Sequence, residues 1–335
     1  MKKLLLTICM LALAASMQVA DGAGAKKVKI AILMYGNKAE FVQLMQRYGK
    51  THPAVTAGMA DIMFYDGRYD ASVQNDQAQL AINSRFDAII VNPMDFEANI
   101  PVVTKAREAN IPVIVTNARL NTNEMNSEVF SDDVLGGYLE AKAVLGKLGC
   151  KGNVVIIEGP KGGSGEIQRG QGNEKAIAEC PKGAVKVLER KTANWSRAEA
   201  LDLMQNWLSK HHGEINGVIG QNDEMALGAI EAIKASGQNV KSFAIAGIDG
   251  VTDALKAVKA GEMTTILQDA RGQMQGSIDV ALRAVKGAGY KPMSPIWKQY
   301  EKQGLAWNDG RSKHYYIPWT IVTKDNVDGL LKDRK

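Results

Sequence analysis

Short apolar runs alternate with helix-like segments along most of this chain of 335 residues. The runs are β-branched and apolar at nearly every position, as is typical of strands covered on both faces. The segments between them repeat apolar residues at three- and four-residue spacing, as in Leu135, Leu139, Leu145 and Leu148. This alternation predicts an α/β fold with parallel, doubly wound sheets. The predicted strands are Lys29–Met34, Asp61–Tyr65, Ala88–Val91, Pro112–Thr116, Asn153–Glu158, Ala184–Glu189, Gly217–Gly220, Phe243–Ile248 and Thr264–Leu267.

Polar residues end corresponding strands in two similarly built halves of the chain. One strand ends at Asn92 and the next at Asn117; in the second half the equivalent residues are Asn222 and Asp249. Ligands of open α/β sheets bind outside the carboxyl ends of the strands. The pattern predicts two Rossmann-like lobes that face each other across one cleft. Helix N-capping, for which Asn and Asp are favoured, is the alternative role for each of these residues.

The first 25 residues have the layout of a cleavable signal peptide. Lys2 and Lys3 precede an apolar run over 4–15, and Ala23-Gly24-Ala25 closes the segment. The alternative is a buried first helix. Cys9 lacks the small residues that precede a lipid-modified cysteine, so a soluble periplasmic protein is expected. The formal net charge of +5 is spread along the chain, which disfavours nucleic acid as a partner.

Two cysteines remain after the predicted cleavage. Cys150 precedes the predicted strand Asn153–Glu158, and Cys180 follows the next helix. Because strand and helix run antiparallel, both cysteines fall at the same end of this unit. An exported protein with this arrangement is expected to form a disulfide, and two buried thiols are the alternative.

Several side chains near the predicted strand ends suit a polyhydroxylated ligand. Amides, carboxylates and guanidinium groups bind hydroxyls in pairs, and aromatic rings cover the C–H faces of sugars. Tyr35 and Phe41 follow the first strand. Trp195 lies in a loop, either as a ligand wall or as a wedge between lobes. Arg169 follows a glycine-rich turn and is either presented to the cleft or solvated.

Signals for catalysis are missing from the sequence. His52, His211, His212 and His314 have no metal-ligand spacing. The glycine-rich run 159–170 matches neither the phosphate loop nor the dinucleotide fingerprint. These observations predict a protein that is not an enzyme and that holds no cofactor and no metal.

From about Val28 to Gly287 the chain resembles the ribose-type (type I) periplasmic sugar-binding proteins of ABC importers. The resemblance rests on Ile90-Val-Asn92-Pro, Ser131-Asp-Asp-Val-Leu-Gly-Gly137, Arg169-Gly170, Gln221-Asn-Asp-Glu-Met-Ala-Leu-Gly228 and Gly247-Ile-Asp249-Gly250. It implies two lobes joined by a three-strand hinge, which close on a sugar. The partners implied are an inner-membrane ABC permease and its ATPase.

Residue by residue, the resemblance places ligand or cleft functions at Asn92, Ser131, Arg169, Trp195, Asn222, Asp249 and Gln268, with Phe41 as a stacking aromatic. Together with the residues near the predicted strand ends, the candidate ligand-binding residues are Tyr35, Asn37, Phe41, Asn92, Asn117, Arg119, Ser131, Arg169, Trp195, Asn222, Asp249 and Gln268.

The chain departs from the ribose-binding pattern at three places. Asn117-Ala118-Arg119 replaces an Asp-Arg pair, Glu40 stands where a second aromatic is usual, and Ile248 replaces an aromatic before Asp249. These changes leave fewer aromatic rings to stack on a sugar and alter where the charged residues of the predicted cleft lie. The expected ligand is therefore a monosaccharide or polyol other than ribose.

The predicted division of the chain follows from the resemblance. Residues 26–131 and 269–290 form the N-terminal lobe, 132–268 and 315–335 form the C-terminal lobe, and 291–314 form an extended hinge-return segment. The predicted function is that of a monomeric periplasmic receptor that delivers its solute to a permease. A chemoreceptor or signal-molecule carrier of the same fold is the alternative, followed by a carbohydrate-acting enzyme; a sugar-responsive repressor is disfavoured by the signal peptide.

Overall fold

The computed structural model describes residues 26–334, so the predicted signal peptide lies outside the described residues. The strands form two six-stranded sheets. The first has the order β11-β5-β4-β3-β1-β2 and the second the order β12-β10-β9-β8-β6-β7. Pairing is parallel throughout except between β10 and β12. The strands are β1 (Val28–Met34), β2 (Ala60–Asp66), β3 (Ala88–Val91), β4 (Val113–Thr116), β5 (Ser127–Phe130), β6 (Gly152–Glu158), β7 (Val185–Thr192), β8 (Gly217–Gly220), β9 (Ala244–Asp249), β10 (Thr264–Leu267), β11 (His314–Tyr316) and β12 (Thr320–Ile321).

Helices cover both faces of each sheet. Three short 3-10 helices, Val240–Ser242, Glu301–Gln303 and Asn308–Gly310, accompany them. The helices are α1 (Glu40–Lys50), α2 (Pro53–Thr56), α3 (Ala71–Asn83), α4 (Ile100–Glu108), α5 (Asp133–Leu148), α6 (Ser164–Ala178), α7 (Arg197–His211), α8 (Asp223–Ala235), α9 (Thr252–Ala260), α10 (Ala270–Lys286), α11 (Ile296–Gln299) and α12 (Val327–Lys332). Among the described residues no helix is long and apolar enough to cross a bilayer.

Strand β1 shows why the strands are apolar at nearly every position; apart from the exposed Lys29 near its start, all of its residues are buried. Ile30, Ile32 and Met34 pack into the core that includes α1 and α10. Ala31 and Leu33 pack into the core on the other face, with α3 and α4. Because each face of the sheet is covered by helices, polar residues have no solvent-facing position along the rest of the strand.

The nine strands predicted from the sequence are all present, within three residues at their ends. β5 was not predicted because half of it is polar. Ser127 donates through Oγ to the Ser312 carbonyl, and the Glu128 carboxylate accepts from Arg119, so neither side chain is left unpaired inside the sheet. The predicted fold class, two Rossmann-like lobes with parallel sheets, is confirmed.

Three chain crossings join the two sheets and lie side by side. They run from β5 into α5, from β10 into α10 and from β11 into β12. The Ile317 amide donates to the Phe130 carbonyl at 2.8 Å, and Trp319 Nε1 donates to the Asp132 carbonyl at 2.7 Å. Thr320 pairs with Leu267 in the second sheet. This three-stranded hinge is the one expected from the resemblance.

The segment 291–314 packs on the N-terminal lobe instead of returning through the hinge. Asp279 of α10 is its anchor. This carboxylate accepts from Tyr290 Oη at 2.6 Å, from the Ser294 amide at 3.0 Å and from Trp297 Nε1 at 2.7 Å. This buried carboxylate is therefore one of the main attachments of the segment to α10, which also bonds to it through Gln275 and Arg283.

The predicted lobe boundary at residue 315 requires a correction. Tyr315 and Tyr316 lie in β11, which pairs with β5 in the first sheet. The chain reaches the second sheet only at Thr320. The sequence did not show this because β11 and β12 are too short to produce a periodic pattern.

Cys150 and Cys180 form a disulfide with their Cα atoms 5.4 Å apart. Cys150 lies just before β6 and Cys180 just after α6. The bridge therefore lies at the amino-terminal edge of the second sheet, away from the carboxyl ends of its strands.

Candidate functional site

A small pocket lies between the two lobes, where the carboxyl ends of both sheets face each other. Its volume is about 50 Å³, where one bound water needs about 10–15 Å³, so it suits a single small solute. The N-terminal lobe contributes Tyr35, Phe41, Pro93, Met94, Asn117 and Ala118. The C-terminal lobe contributes Asp133, Gly163, Ser164, Gly165, Arg169, Trp195, Asn222, Asp249 and Gln268.

Arg169 is the central cation of the pocket and is only 5% exposed. It projects from the second turn of α6. Its Nε donates to Asp133 Oδ1 at 2.8 Å and its Nη1 to the Gln221 carbonyl at 2.6 Å. Burial raises the pKa of the Asp133 carboxyl, and the guanidinium opposes that shift. The alternative of a solvated arginine is therefore wrong.

Asp249 presents a carboxylate to the pocket that the protein does not pair. Among the described residues its side chain makes no hydrogen bond, although only 6% of the residue is exposed. Burial raises its pKa well above the ordinary range, and Arg169 opposes the shift. A buried acceptor with open capacity favours a ligand that supplies hydroxyl donors.

Two amides of the C-terminal lobe also keep open donors. Asn222 Oδ1 accepts from the Met225 amide at 2.9 Å, so this residue both caps α8 and lines the pocket, and its Nδ2 stays available. Gln268 Oε1 accepts from Arg169 Nη2 at 3.4 Å. Within the described part of the chain, the buried Gln268 Nε2 has no partner.

The N-terminal lobe supplies one amide and two aromatic rings. Asn117 has a φ of 64°, which asparagine tolerates well. Its Nδ2 donates to Gln273 Oε1 at 3.0 Å, which leaves Oδ1 as an acceptor for a ligand. Tyr35 and Phe41 complete this side. Burial raises the pKa of Tyr35, so its phenol stays neutral.

Four predicted residues do not line the pocket. The Asn92 side chain is completely buried, with Nδ2 4.0 Å from the Met45 sulfur and Oδ1 without a partner in the described part of the chain. Arg119 donates to Glu128 at 2.9 Å. Ser131 accepts from Gln273 Nε2 at 3.0 Å, and Asn37 accepts from Gln46 at 2.5 Å.

Conversely, the pocket contains residues that the sequence reasoning did not select. Asp133 lies two residues after Ser131 in the motif Ser131–Gly137. Only its ion pair with Arg169 reveals that it lies at the pocket. Ser164 Oγ accepts from the Arg119 amide of the other lobe at 2.8 Å. The glycine-rich run did contain a signal for Ser164, because such a turn lets the backbone approach a ligand closely.

An outer cavity of about 540 Å³ adjoins the pocket and shares Met94 and Trp195 with it. The two lobes contribute matching loops to this cavity, one after β2 and one after β7. Each loop has two consecutive residues with positive φ that end in an aromatic, Arg68-Tyr69 at 53° and 60° and Asn194-Trp195 at 52° and 61°. Strained backbone of this kind concentrates at functional sites.

A glycine beneath each aromatic makes this arrangement possible. A Cβ atom at Gly36, just after β1, would lie 2.4 Å from the Tyr69 ring. A Cβ atom at Gly159, just after β6, would lie 2.2 Å from the Trp195 ring. Tyr69 is thus the counterpart of Trp195 in the other lobe. Trp195 lines both cavities, and its role as a ligand wall or as a wedge between the lobes stays a prediction.

The arrangement binds through fixed polar groups and aromatic walls. In residues 26–334 no cluster of His, Cys, Asp or Glu could hold a metal ion. Two α/β lobes joined by three crossings, with a polar pocket between their strand ends, define a bilobal solute-binding protein.

The model of the periplasmic binding protein domain family matches residues 30–289, and the chain belongs to this family. A xylitol-binding protein of Mycolicibacterium smegmatis is 38% identical over 273 residues, which cover 81% of this chain and 71% of that protein. A protein of Rhizobium meliloti named for rhizopine binding is 33% identical over 332 residues, 98% of each chain.

Among solved structures, the chain is similar to an ABC transporter solute-binding protein from Bacillus halodurans with bound myo-inositol. The TM-score is 0.80 at 31% identity, and the match covers 92% of this chain and 99% of that one. The resemblance drawn from the sequence motifs is confirmed.

Proposed function

We propose that this chain is the substrate-binding component of an ABC importer and binds a monosaccharide or polyol in the pocket between its lobes. One observation carries the proposal. The Asp249 carboxylate, Asn222 Nδ2 and Gln268 Nε2 belong to residues that line one small pocket, and none of the three groups has a hydrogen-bond partner among residues 26–334. Hydroxyl groups both donate and accept, so they match this mixed set.

Within that class we propose a polyol, acyclic or cyclic, ahead of ribose. The relatives described above are named for the binding of xylitol and of rhizopine, and the solved structure contains myo-inositol. The pocket walls support the same choice. Asn117 replaces the acidic residue expected of a ribose binder, and Glu40 lies outside the pocket, where a second aromatic was expected. The N-terminal lobe therefore offers fewer aromatic rings for stacking on a ligand.

The ligand residues that we propose are those that line the pocket and carry a free polar group or an aromatic face. They are Tyr35, Phe41, Asn117, Asp133, Arg169, Trp195, Asn222, Asp249 and Gln268. Arg169 and Asp133 form a fixed charged pair that orients hydroxyls from one side. Asp249 and the two amides receive them from the other.

We further propose that the protein is exported, with cleavage near Ala25, and acts as a monomer that docks on a permease and its ATPase. The family's solute-binding role supports a protein without catalytic turnover. A solute shifts the lobes toward closure only as far as it prefers the closed form. An affinity near micromolar, or about −8 kcal/mol, would suit such a carrier.

Calorimetric titration of the mature protein tests this function. The panel comprises xylitol, myo-inositol, D-ribose, D-allose and, as a different class, an amino acid mixture. Binding of one or more polyols or sugars, recovered chemically unchanged, is the expected result. Binding of amino acids but of no sugar or polyol would contradict the proposed substrate class. Chemical conversion of a bound sugar would contradict the carrier role.

A further inference from the structure

A carboxylate of the N-terminal lobe reaches the first turn of a helix in the C-terminal lobe. Glu40 is the first residue of α1, and Thr252 is the first residue of α9. Glu40 Oε1 accepts from the Thr252 amide at 3.0 Å and from Thr252 Oγ1 at 2.5 Å, and Oε2 lies 3.2 Å from the same amide. The contact crosses the cleft between the lobes.

Helix α9 depends on this contact for a capping group. Its N-cap residue is Val251, which provides no side-chain cap. The carboxylate of Asp253, in the first turn, is engaged by Arg197 and Lys256. The first amides of a helix lack partners within the helix, and a negative charge next to them is stabilising. Glu40 supplies both the acceptor and the charge, but only while the lobes are together.

Neither residue lines the ligand pocket. Some other bonds between the lobes involve the backbone beside the pocket, such as the Phe96 amide to the Gly162 carbonyl at 2.9 Å, and cannot be removed without disturbing the site. A weaker one away from the pocket joins Arg47 Nη1 of α1 to the Arg334 carbonyl at 3.4 Å. The Glu40–Thr252 contact is made by side chains that can be changed independently of the pocket.

We propose that Glu40 and Thr252 are positioning residues that hold the lobes closed without touching the solute. The contact forms in the ligand-free protein as well, where it raises the fraction of closed molecules. A larger closed fraction raises the apparent affinity for any solute that binds the closed form. We expect the charge-assisted bond to be worth about tenfold in affinity, or about 1.4 kcal/mol.

Hydrogen–deuterium exchange tests the contact without any ligand. Protein freed of bound solute by unfolding and refolding is compared with Glu40→Ala, and the amide of Thr252 is monitored. The matched control is Gln43→Ala, because Gln43 also lies in α1 but bonds only to Asn37 and Lys38 of its own lobe. We expect severalfold faster exchange in Glu40→Ala and no change in the control. Equal rates in Glu40→Ala and the unaltered protein would overturn the proposal, as would the same acceleration in Gln43→Ala.

Titration with myo-inositol forms a second arm, which rests on the proposed function. Glu40→Ala and Thr252→Val are expected to bind about tenfold more weakly, chiefly through faster dissociation. Thr252→Ser keeps both donors and is expected to bind as the unaltered protein does. Unchanged affinity in Glu40→Ala would overturn the proposal. If the unaltered protein does not bind myo-inositol, that choice of ligand fails, and the exchange experiment alone decides on the contact.

Discussion

The guanidinium carbon of Arg169 lies 5.4 Å from the centre of the Trp195 ring. The same guanidinium is fixed by Asp133 at 2.8 Å. The indole therefore has two positions at once: it forms a wall of the pocket and it covers the cation that we propose as a ligand contact. A change at Trp195 acts on the ligand both directly and through Arg169.

Replacement of Trp195 by alanine is expected to weaken solute binding by about tenfold or more. A cation–π contact contributes about 0.5–2 kcal/mol, and the wall is lost in addition. Calorimetric titration with the tightest ligand of the panel measures the effect. Tyr69→Ala is the matched control, because Tyr69 has the corresponding position in the other lobe but lines only the outer cavity. A larger loss in the control would contradict the placement of the ligand in the inner pocket.

Replacement of Asn222 by serine separates its two roles. Serine is also a good N-cap, so α8 should keep its first hydrogen bond and the melting temperature should hardly change. The Nδ2 donor is lost, and a ligand oxygen is left unpaired in a buried site, which costs about 1–3 kcal/mol. We expect at least about tenfold weaker binding. Full affinity in a stable Asn222→Ser protein would remove this residue from the site.

Replacement of Asp249 by asparagine should abolish binding and yet stabilise the ligand-free protein at high pH. Asparagine has nearly the same size and shape as aspartate, so the substitution adds no new backbone demand at this position, where φ is 129°. The raised pKa of Asp249 means that the folded protein prefers the protonated carboxyl. The aspartate protein therefore loses stability as pH rises above about 3.9, the ordinary value, until the raised pKa is passed.

The melting temperatures of the unaltered protein and of Asp249→Asn, measured across this pH range, test the direction of the pH dependence. The advantage of Asp249→Asn should be largest at alkaline pH and should vanish toward pH 4. An advantage that grows as the pH falls would show that the carboxylate is stabilised in the folded state.

Asp279 gives the opposite pH dependence. Burial alone would raise its pKa, but the contacts with His52, Tyr290 and the backbone amides lower it below the ordinary value. Asp279→Asn should cost about 3 kcal/mol, because buried donors lose a charged acceptor. The unaltered protein holds this stability above about pH 3.9 and loses it as pH falls through the lowered pKa.

Chemical unfolding at neutral and acidic pH measures this difference. The difference in free energy of unfolding between the unaltered protein and Asp279→Asn should be constant above about pH 5 and should narrow below about pH 4. A pH-independent difference would mean that packing, and not the charge, holds the segment 291–314. Ligand affinity serves as the control and should be retained at neutral pH.

Removal of both Cys150 and Cys180 should lower stability by about 3–4 kcal/mol, as expected for a bridge between residues 30 apart. Binding should not change, because the bridge lies at the edge of the sheet opposite the pocket. Comparison of the double alanine variant with the oxidised protein in urea tests the first point, and titration tests the second. A parallel loss of affinity would indicate that the bridge also affects the pocket.

The sequence predicted what depends on local pattern. The fully apolar strands and the polar residues at their carboxyl ends located Asn117, Asn222 and Asp249 correctly. It could not predict which neighbour would compete for each side chain. Asn92 occupies the strand-end position that corresponds to Asn222, but it turns into the core near Met45. Arg119 was expected in the pocket but forms an ion pair with Glu128. Glu128 lies in β5, which was too polar to be predicted as a strand from the sequence.

Glu40 illustrates a different limit. The sequence marked it as a departure from the family pattern, since an aromatic is usual there. Its partner, Thr252, is 212 positions away, and no local signal connects the two. Only the packing of the two lobes reveals what the substituted carboxylate contacts.

The three adjacent crossings form the axis about which the two lobes would rotate. β2 and β7 each lie four strands away from the crossing strands β5 and β10, a distance of about 19 Å at the usual spacing. A rotation of about ten degrees around the crossings would carry the loops after β2 and β7 through about 3 Å, while Gln268 beside the axis would hardly move. Tyr69 and Trp195, on the loops after β2 and β7, would thus have the longest travel of the cavity-lining residues when the lobes rotate, whereas the walls beside the crossings would keep their place.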